Sequence, residues 1–377
     1  MTRVVIAPDK FKGALTAMQA AQAIERGVKS AAPSAECVLC PMADGGEGTV
    51  EAFLERGARR MTAKVRGPLG AAVNAVYAID GTTAIVEMSS ASGLGLLAKS
   101  QYDPAETDTF GTGELIEAAL DAGVQRIIIG IGGSATNDAG TGMLRALGVR
   151  FLDANGDELG REILTYERLA SIDIGGLDER IADVKIDVAV DVDNPLCGPD
   201  GASHTFAAQK GATPEQIEQL DAVLERIAEV AARALGHDER NTPGAGAAGG
   251  LGFALVAFLG ANLERGVRLI SEETGLPQAL RGASLCLTGE GKIDMQTLHG
   301  KTVAGVAEIA RDCGVPVIAF GGKVEEDAAR ALAERGVKAI QTAPSDMPAE
   351  QAMARAAEFL EEAGASAAKD LLDGANH

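Results

Sequence analysis

Five short apolar runs, each without polar alternation and each ending in a turn cluster, limit what this chain can fold into. They are VVIAPD (4–9), CVLCPM (37–42), LCLTGEG (285–291), VIAFGG (317–322) and AIQTAP (339–344). Strands buried on both faces read this way, and they belong to parallel sheets covered by helices. Helical patterns follow most of the runs. TAMQAAQAIERGV starts at Thr16, a residue type suited to an N-cap, and TVAGVAEIARDCG ends at Gly314, suited to the position after a helix.

Two βα units at the N-terminus and three at the C-terminus predict an α/β protein with a flavodoxin-like, parallel five-stranded sheet. The sheet is split by roughly two hundred residues, too many for a loop. The expected organisation is one discontinuous domain, 1–60 plus 283–377, and a large inserted second α/β domain, 61–282. Within the insertion, VNAVYAID and TAIVEMS alternate more and predict an antiparallel pair. RIIIGIGGSATNDAGTG reads as a buried strand entering a glycine-rich loop, and KIDVAVDV as a strand entering DNPLCG. The clearest helix is 214–235, with Thr213 as cap, Pro214 at its first position and Gln216 closing a capping box. GAGAAGGLG (244–252) is dense in glycine and alanine.

The formal net charge of −20 disfavours nucleic acid and anionic membrane surfaces as partners. An anionic ligand therefore needs a local cluster of lysines or backbone amides. Cys37 and Cys40 have C-x-x-C spacing but sit in an apolar run without a second pair, which reads as a strand rather than a zinc or redox site. His204, His237, His299 and His377 are too scattered for a His-rich metal site. No segment is a usable signal core, and LGFALVAFLGA (251–261) is too short to span a bilayer. A cytoplasmic chain is expected, and a homo-oligomer is compatible with that.

The informative loops follow predicted strands, where open α/β sheets bind ligands. APDKFKG offers Asp9, Lys10 and Lys12. MADGGEG offers Asp44 and the amides of Gly45 and Gly46 at a helix start. TGEGKID offers Glu290, Gly291, Lys292 and Asp294, and HGKT beyond it offers Lys301. HGKT resembles the end of a Walker A loop, but Met295 stands where that loop needs its leading glycine. AVDVDNPLCG supplies Asp191, Asp193 and Asn194, and HTFAAQKGA supplies Gln209 and Lys210. Each has a bland alternative: a tight turn, a solvated charge, or an Asx-turn into Pro195.

GIGGSATND (130–138) fits two ligands. Gly130, Gly132 and Ala135 match the dinucleotide fingerprint, with Asp153 downstream, so an NAD-dependent oxidoreductase of a small hydroxy acid is the alternative function. That fingerprint requires a helix to begin in the loop, where Asn137, Asp138, Gly140 and Gly142 are poor helix formers. Gly133 with Ser134, Thr136 and Asn137 suits a phosphate better. Lysines, glycine nests, hydroxyls and carboxylates are together the parts of a phosphoryl-transfer site.

Taken in order, the loops resemble the type 1 group of bacterial glycerate kinases. The family pattern APDSFKGSLSA is met by APDKFKGALTA; PMADGGEGT, GPLG, the TGEL helix start, GIGGSATND, DVxNPL, QKGA, GAGAAGG, TGEGxID and HGK all follow, from Ala7 to Lys301. Lys10 in place of serine, GREILTYERL (160–169) in place of a glycine-rich run and AAQKGA in place of GPQKGA depart from it. The resemblance implies an ATP- and Mg²⁺-dependent kinase acting on D-glycerate, with 2-phosphoglycerate favoured over 3-phosphoglycerate. It also implies a flavodoxin-like domain interrupted by a second α/β domain; ATP and glycerate are expected to meet in a cleft between the two. From residue chemistry and loop position, Asp191 is expected as general base, with Lys12 or Lys292 neutralising glycerate or the moving phosphate. Asp44, Glu290 or Asp294 is expected to hold Mg²⁺. Asp9, Lys10, Gly45, Gly46, Gly133, Ser134, Thr136, Asn137, Asn194, Lys210, Gly291 and Lys301 are expected to contact substrate or ATP phosphates.

Overall fold

The structure is a computed structural model describing residues 2–298 and 301–374, and it has a mixed α/β fold. His299 and Gly300 of the HGKT motif lie outside the described residues. The chain packs as two compact units, Met1–Asp44 with Arg265–His377, and Gly45–Glu264.

The first unit holds a five-stranded sheet in the order Val337–Gln341, Val317–Val324, Leu285–Ile293, Arg3–Ile6, Glu36–Leu39, with every neighbouring pair parallel. Numbered along this unit alone, the order is 2-1-3-4-5. Val4, Ile6, Leu285, Leu287 and Phe320 pack with Ile24 and Val28 of the helix Ala17–Ala31 and with Leu360 of the helix Ala356–Gly374. Thr16 and Gln19 form a capping box that starts the first of these helices.

The strand Leu285–Ile293 is longer than its apolar run. It continues through the glycines because Glu290, Lys292 and Ile293 pair with Gly321, Lys323 and Val324 of the next strand. Glu290, Gly291 and Lys292 therefore lie within a strand, not in the loop after one.

The second unit holds a six-stranded sheet in the order Asn262–Glu264, Lys185–Ala189, Arg126–Gly130, Thr83–Glu87, Ala72–Asp80, Arg59–Arg66. The first three neighbouring pairs in that order are parallel. Ala72–Asp80 pairs antiparallel with both of its neighbours, through a tight turn to Thr83–Glu87. Ile127, Ile129, Val86 and Val188 form its core with Leu115, Ile116, Leu224 and Leu251 from the covering helices. The helix Pro214–Leu235 has the Thr213–Gln216 capping box and ends at Gly236 with φ +80°.

Two segments change sides relative to the expected boundaries at 60/61 and 282/283. Residues 45–60 belong to the second unit, because the helix Thr49–Glu55 packs on the strands Ala72–Asp80 and Thr83–Glu87. Residues 265–282 belong to the first, where the helix Gly266–Thr274 packs on Thr302–Asp312. Among the described residues no helix is long and apolar enough to cross a membrane. Cys37 lies in a strand and Cys40 is buried just beyond it, both as free thiols.

Candidate active site

In the second unit two glycine-rich loops, far apart in sequence, lie backbone against backbone. A Cβ on Gly130 would stand 2.0 Å from the Gly45 carbonyl oxygen, and one on Gly132 would stand 3.1 Å from Gly46 Cα. No side chain fits at Gly130, so its glycine is a packing requirement. The Gly45–Gly46 turn leads into the helix Thr49–Glu55, but the helix's first amides are not open to a ligand. Gly48 N and Val50 N donate to Glu87 Oε1 at 3.0 and 2.7 Å. Glu87, buried at the end of the run TAIVE, is the resident anion there. Its only signal in the sequence is an acidic residue closing an apolar run.

The loop after Gly130 stays non-helical until Thr141. A nucleotide-binding helix would have to begin within it, so the NAD reading loses its structural basis. Asp153, the expected ribose partner in that reading, accepts from Asn155 N and Asp157 N at 2.8 and 3.1 Å and simply closes a turn. The loop itself is held from several sides. Ala135 N donates to Ser92 O at 2.9 Å, and Thr107 Oγ1 donates to Ala135 O at 2.8 Å. Asn137 Nδ2 donates to Ser203 Oγ at 2.9 Å. Lys210 Nζ donates to Ser134 Oγ at 2.8 Å and to Thr136 O at 2.6 Å. Lys210 is only 2% exposed, so it is not a solvated charge. Burial pushes its pKa down to about 7, against the opposing charge of Asp138.

Asp138, which carried no expected role, is the hub of the next turn. Its carboxylate accepts from Thr109 N (2.9 Å), Thr109 Oγ1 (2.8 Å), Gly140 N (3.1 Å) and Gly142 N (3.1 Å). Thr136 Oγ1 and Asn137 Oδ1 are buried and without a hydrogen-bond partner. Such orphaned polar atoms are costly in a finished core and mark a place where a ligand or water completes the set.

The glycine–alanine segment 244–250 has its explanation here. A Cβ on Gly249 would lie 2.0 Å from the Thr136 carbonyl oxygen, and Ala139 N donates to Gly249 O at 2.9 Å. Ala139 and Ala248 both take left-handed φ values, +49° and +54°, a cost that persists where surrounding contacts over-determine the backbone. Asp191 follows the buried strand Lys185–Ala189 and is half-buried. Asn194 Nδ2 donates to Asp200 O at 2.7 Å and reaches Thr205 Oγ1 at 3.3 Å, so its amide braces its own loop.

The first unit gathers the carboxylates. Asp9 N donates to Gly289 O at 2.8 Å, which sets Asp9 beside the strand carrying Glu290. Asp9 Oδ1 accepts from Lys10 N at 2.6 Å and Oδ2 from Thr302 Oγ1 at 2.5 Å. Burial and the charge of Asp44 push Asp9 up to about 6, over the lowering effect of those bonds. Burial pushes Glu290 up to about 7; a hydrogen bond from Thr297 opposes the shift and Asp9 adds to it. Glu290 Oε1 is buried without a hydrogen-bond partner.

Lys292 is tied to Asp294 at 3.1 Å and Glu325 at 2.8 Å, and Lys301 Nζ donates to Gln296 Oε1 at 3.1 Å. A Cβ on Gly291 would lie 3.2 Å from Lys12 N, so the exposed Lys12 stands next to this strand. The first unit thus collects Asp9, Lys10, Lys12, Asp44, Glu290, Gly291, Lys292, Asp294 and Lys301. The second collects Gly45, Gly46, Gly133, Ser134, Thr136, Asn137 and Lys210, with Asp191 and Asn194 on a separate loop.

Lysines, hydroxyls, backbone amides and carboxylates on an α/β frame are the groups a phosphotransferase uses. The chain belongs to the glycerate kinase family: that family's model matches residues 4–372. It is similar to a glycerate kinase of Bacillus subtilis strain 168, 48% identical with 95% of each chain covered. A glycerate 2-kinase of Escherichia coli K12 is 48% identical over 90% of this chain and 89% of its own. A crystal structure from Salmonella typhimurium LT2, described as a candidate glycerate kinase 2, superposes with a TM-score of 0.89 at 45% identity, covering all of both chains. The chain is therefore a kinase, a class whose phosphate donor is ATP.

Proposed function

We propose that the chain transfers the γ-phosphoryl group of ATP to the 2-hydroxyl of D-glycerate, releasing ADP and 2-phosphoglycerate. One observation carries the choice of product: the E. coli relative is named a glycerate 2-kinase and matches nine-tenths of this chain. The 2-1-3-4-5 order of the first unit's parallel sheet supports a flavodoxin-like reading of that unit.

In this reading Ser134, Thr136 and Asn137 face phosphate oxygens, with the unpartnered Thr136 Oγ1 supporting that role. Asp191 accepts the proton of the acceptor hydroxyl, and the exposed Lys12 neutralises glycerate or the moving phosphate. Lys292 is less free for that task, being held by two carboxylates. The donor set suits Mg²⁺: oxygen ligands, among them the orphaned Glu290 Oε1 and Asp44, whose charge acts on Asp9. Asp294, paired to Lys292, fits less well. Among the described residues no three His, Cys, Asp or Glu side chains form a ready metal cage. Mg²⁺ needs none when nucleotide phosphates supply its other ligands. When bound, the ion would balance phosphate charge during transfer.

Phosphorus NMR of a reaction with MgATP and D-glycerate tests the proposal. A new phosphomonoester resonance coupled to one carbon-bound proton identifies the 2-phosphate, and coupling to two identifies the 3-phosphate. ATP left intact by folded protein rejects glycerate as acceptor. Asp191→Asn should lower turnover by about 10²–10⁴-fold with the fold retained, the range for a general base. Unchanged turnover removes Asp191 from that role.

A further inference from the structure

Lys210 was expected to meet a ligand phosphate, and its surroundings point elsewhere. It ends a short run of helical turns, Ser203–Lys210, that touches the Ser134–Asn137 loop at both of its own ends. Ser203 Oγ receives Asn137 Nδ2 at 2.9 Å, and Lys210 Nζ reaches Ser134 Oγ at 2.8 Å and Thr136 O at 2.6 Å. The run is itself pinned. Gly211 has φ +102°, and a Cβ there would lie 2.2 Å from the Tyr102 carbonyl oxygen. A long, flexible side chain brought into so enclosed a place loses its rotamer freedom and its hydration. Its ammonium group is engaged by a loop hydroxyl and a loop carbonyl, with Asp138 as the nearby countercharge.

We propose that Lys210 is a positioning residue: it clamps Ser134 to Thr136 and, with Ser203, fixes the loop conformation in which the Thr136 and Asn137 side chains are presented to substrate. It acts through the loop and not on a phosphate. The inference rests on the reading of that loop as phosphate-holding only for its catalytic consequence; the clamp itself stands on the hydrogen bonds.

The test has two arms. The first uses the full chain without ligand and measures amide hydrogen exchange across residues 133–138 in wild type and Lys210→Met. Faster exchange confined to that loop is expected, and wild-type exchange overturns the proposal. Should Lys210→Met fail to fold, Ser134→Ala keeps the lysine and removes one of its two acceptors, and the same two outcomes apply.

The second arm is a double-mutant cycle on kcat and on the KM for ATP. Lys210→Met should lower kcat/KM by about a hundredfold, the scale of a displaced reacting group. The double variant with Ser134→Ala should lose clearly less than the product of the two single losses, since the lysine acts through that hydroxyl. Losses that multiply independently would make Lys210 a direct phosphate ligand and overturn the proposal. Loosened exchange together with unchanged kinetics in both single variants keeps the clamp and removes the phosphate-loop reading, so the two failures are told apart.

Discussion

The buried loop cluster of the second unit and the carboxylate cluster of the first are shaped by the same force in opposite ways. In both, burial disfavours charge. It pushes the Lys210 ammonium down to about 7 and the Glu290 carboxyl up to about 7. The difference lies in how each cluster is completed. The Lys210 ammonium and the Asp138 carboxylate find their partners inside the unit and glycine backbones touch without room for a Cβ, although Thr136 Oγ1 and Asn137 Oδ1 beside them have no partner. Around Glu290 like charges crowd, and a buried oxygen has no hydrogen-bond partner. The loop cluster is thus preorganised by packing, whereas the carboxylate cluster is eased by a proton or a cation. Substitutions at the interlocked glycines of the first should register chiefly as stability, and those at the carboxylates of the second chiefly as activity.

The largest effect on stability should come from the interlocked backbones. Gly249→Ala places a methyl group 2.0 Å from the Thr136 carbonyl oxygen in a left-handed conformation. A loss of about 3–4 kcal/mol is expected from combined overpacking and strain. Urea unfolding measures it, and a loss under about 1 kcal/mol would mean that the two segments can separate cheaply. In the other cluster, Glu290→Gln keeps size and removes charge. Turnover should fall by about a hundredfold, or about 2.7 kcal/mol of barrier. The concentration of Mg²⁺ giving half-maximal rate should rise, while the melting temperature at pH 8 holds or increases. Wild-type turnover would remove Glu290 from the site.

A smaller loss is expected at Glu87. Glu87→Gln retains an acceptor for Gly48 N and Val50 N but removes its charge from the helix start. A cost of about 1–2 kcal/mol follows for weakening charge-assisted bonds, with little change in the KM for ATP. A large rise in that KM, with stability intact, would mean the Gly45–Gly48 turn binds ligand and Glu87 only shapes it.

These residues also show where the sequence was legible. The helix 214–235 could be read to its ends because cap, proline, capping box and apolar spacing are all local. The parallel strands were visible because continuous apolar runs are their signature. The glycines of 285–291 misled: they read as a turn, yet Gly289 and Gly291 lie in a strand paired along its length with another that contains Gly321 and Gly322. Lys210 could not be placed from AAQKGA, since its acceptors lie more than seventy residues earlier. Asp138 and Glu87 were overlooked for the same reason, because a carboxylate that gathers backbone amides has no sequence spacing of its own. GAGAAGG announced close packing but not its partner, the Thr136–Ala139 backbone.

The last expectation separates the two clusters by sign. Glu290 is raised from 4.5 to about 7, and Asp9 from 3.8 to about 6. Between those limits the folded first unit holds protons that the unfolded chain has released. Its contribution to stability is full below about pH 4 and is lost as pH rises through 6 and 7. Lys210 is lowered from 10.5 to about 7, so in that window the unfolded chain binds the extra proton. Its contribution is present above about pH 10 and is lost as pH falls through 7. Amide exchange free energies, corrected for the intrinsic pH dependence, should fall for the strand Leu285–Ile293 from pH 5 to 7. They should rise for the loop 133–138 from pH 7 to 9, each by up to about 1 kcal/mol per pH unit. Mg²⁺ should flatten only the first slope, because a cation favours the ionised carboxylates. Slopes of the same sign in both places would mean that one of the two burials is relieved by water, and the matched–unmatched contrast would fail.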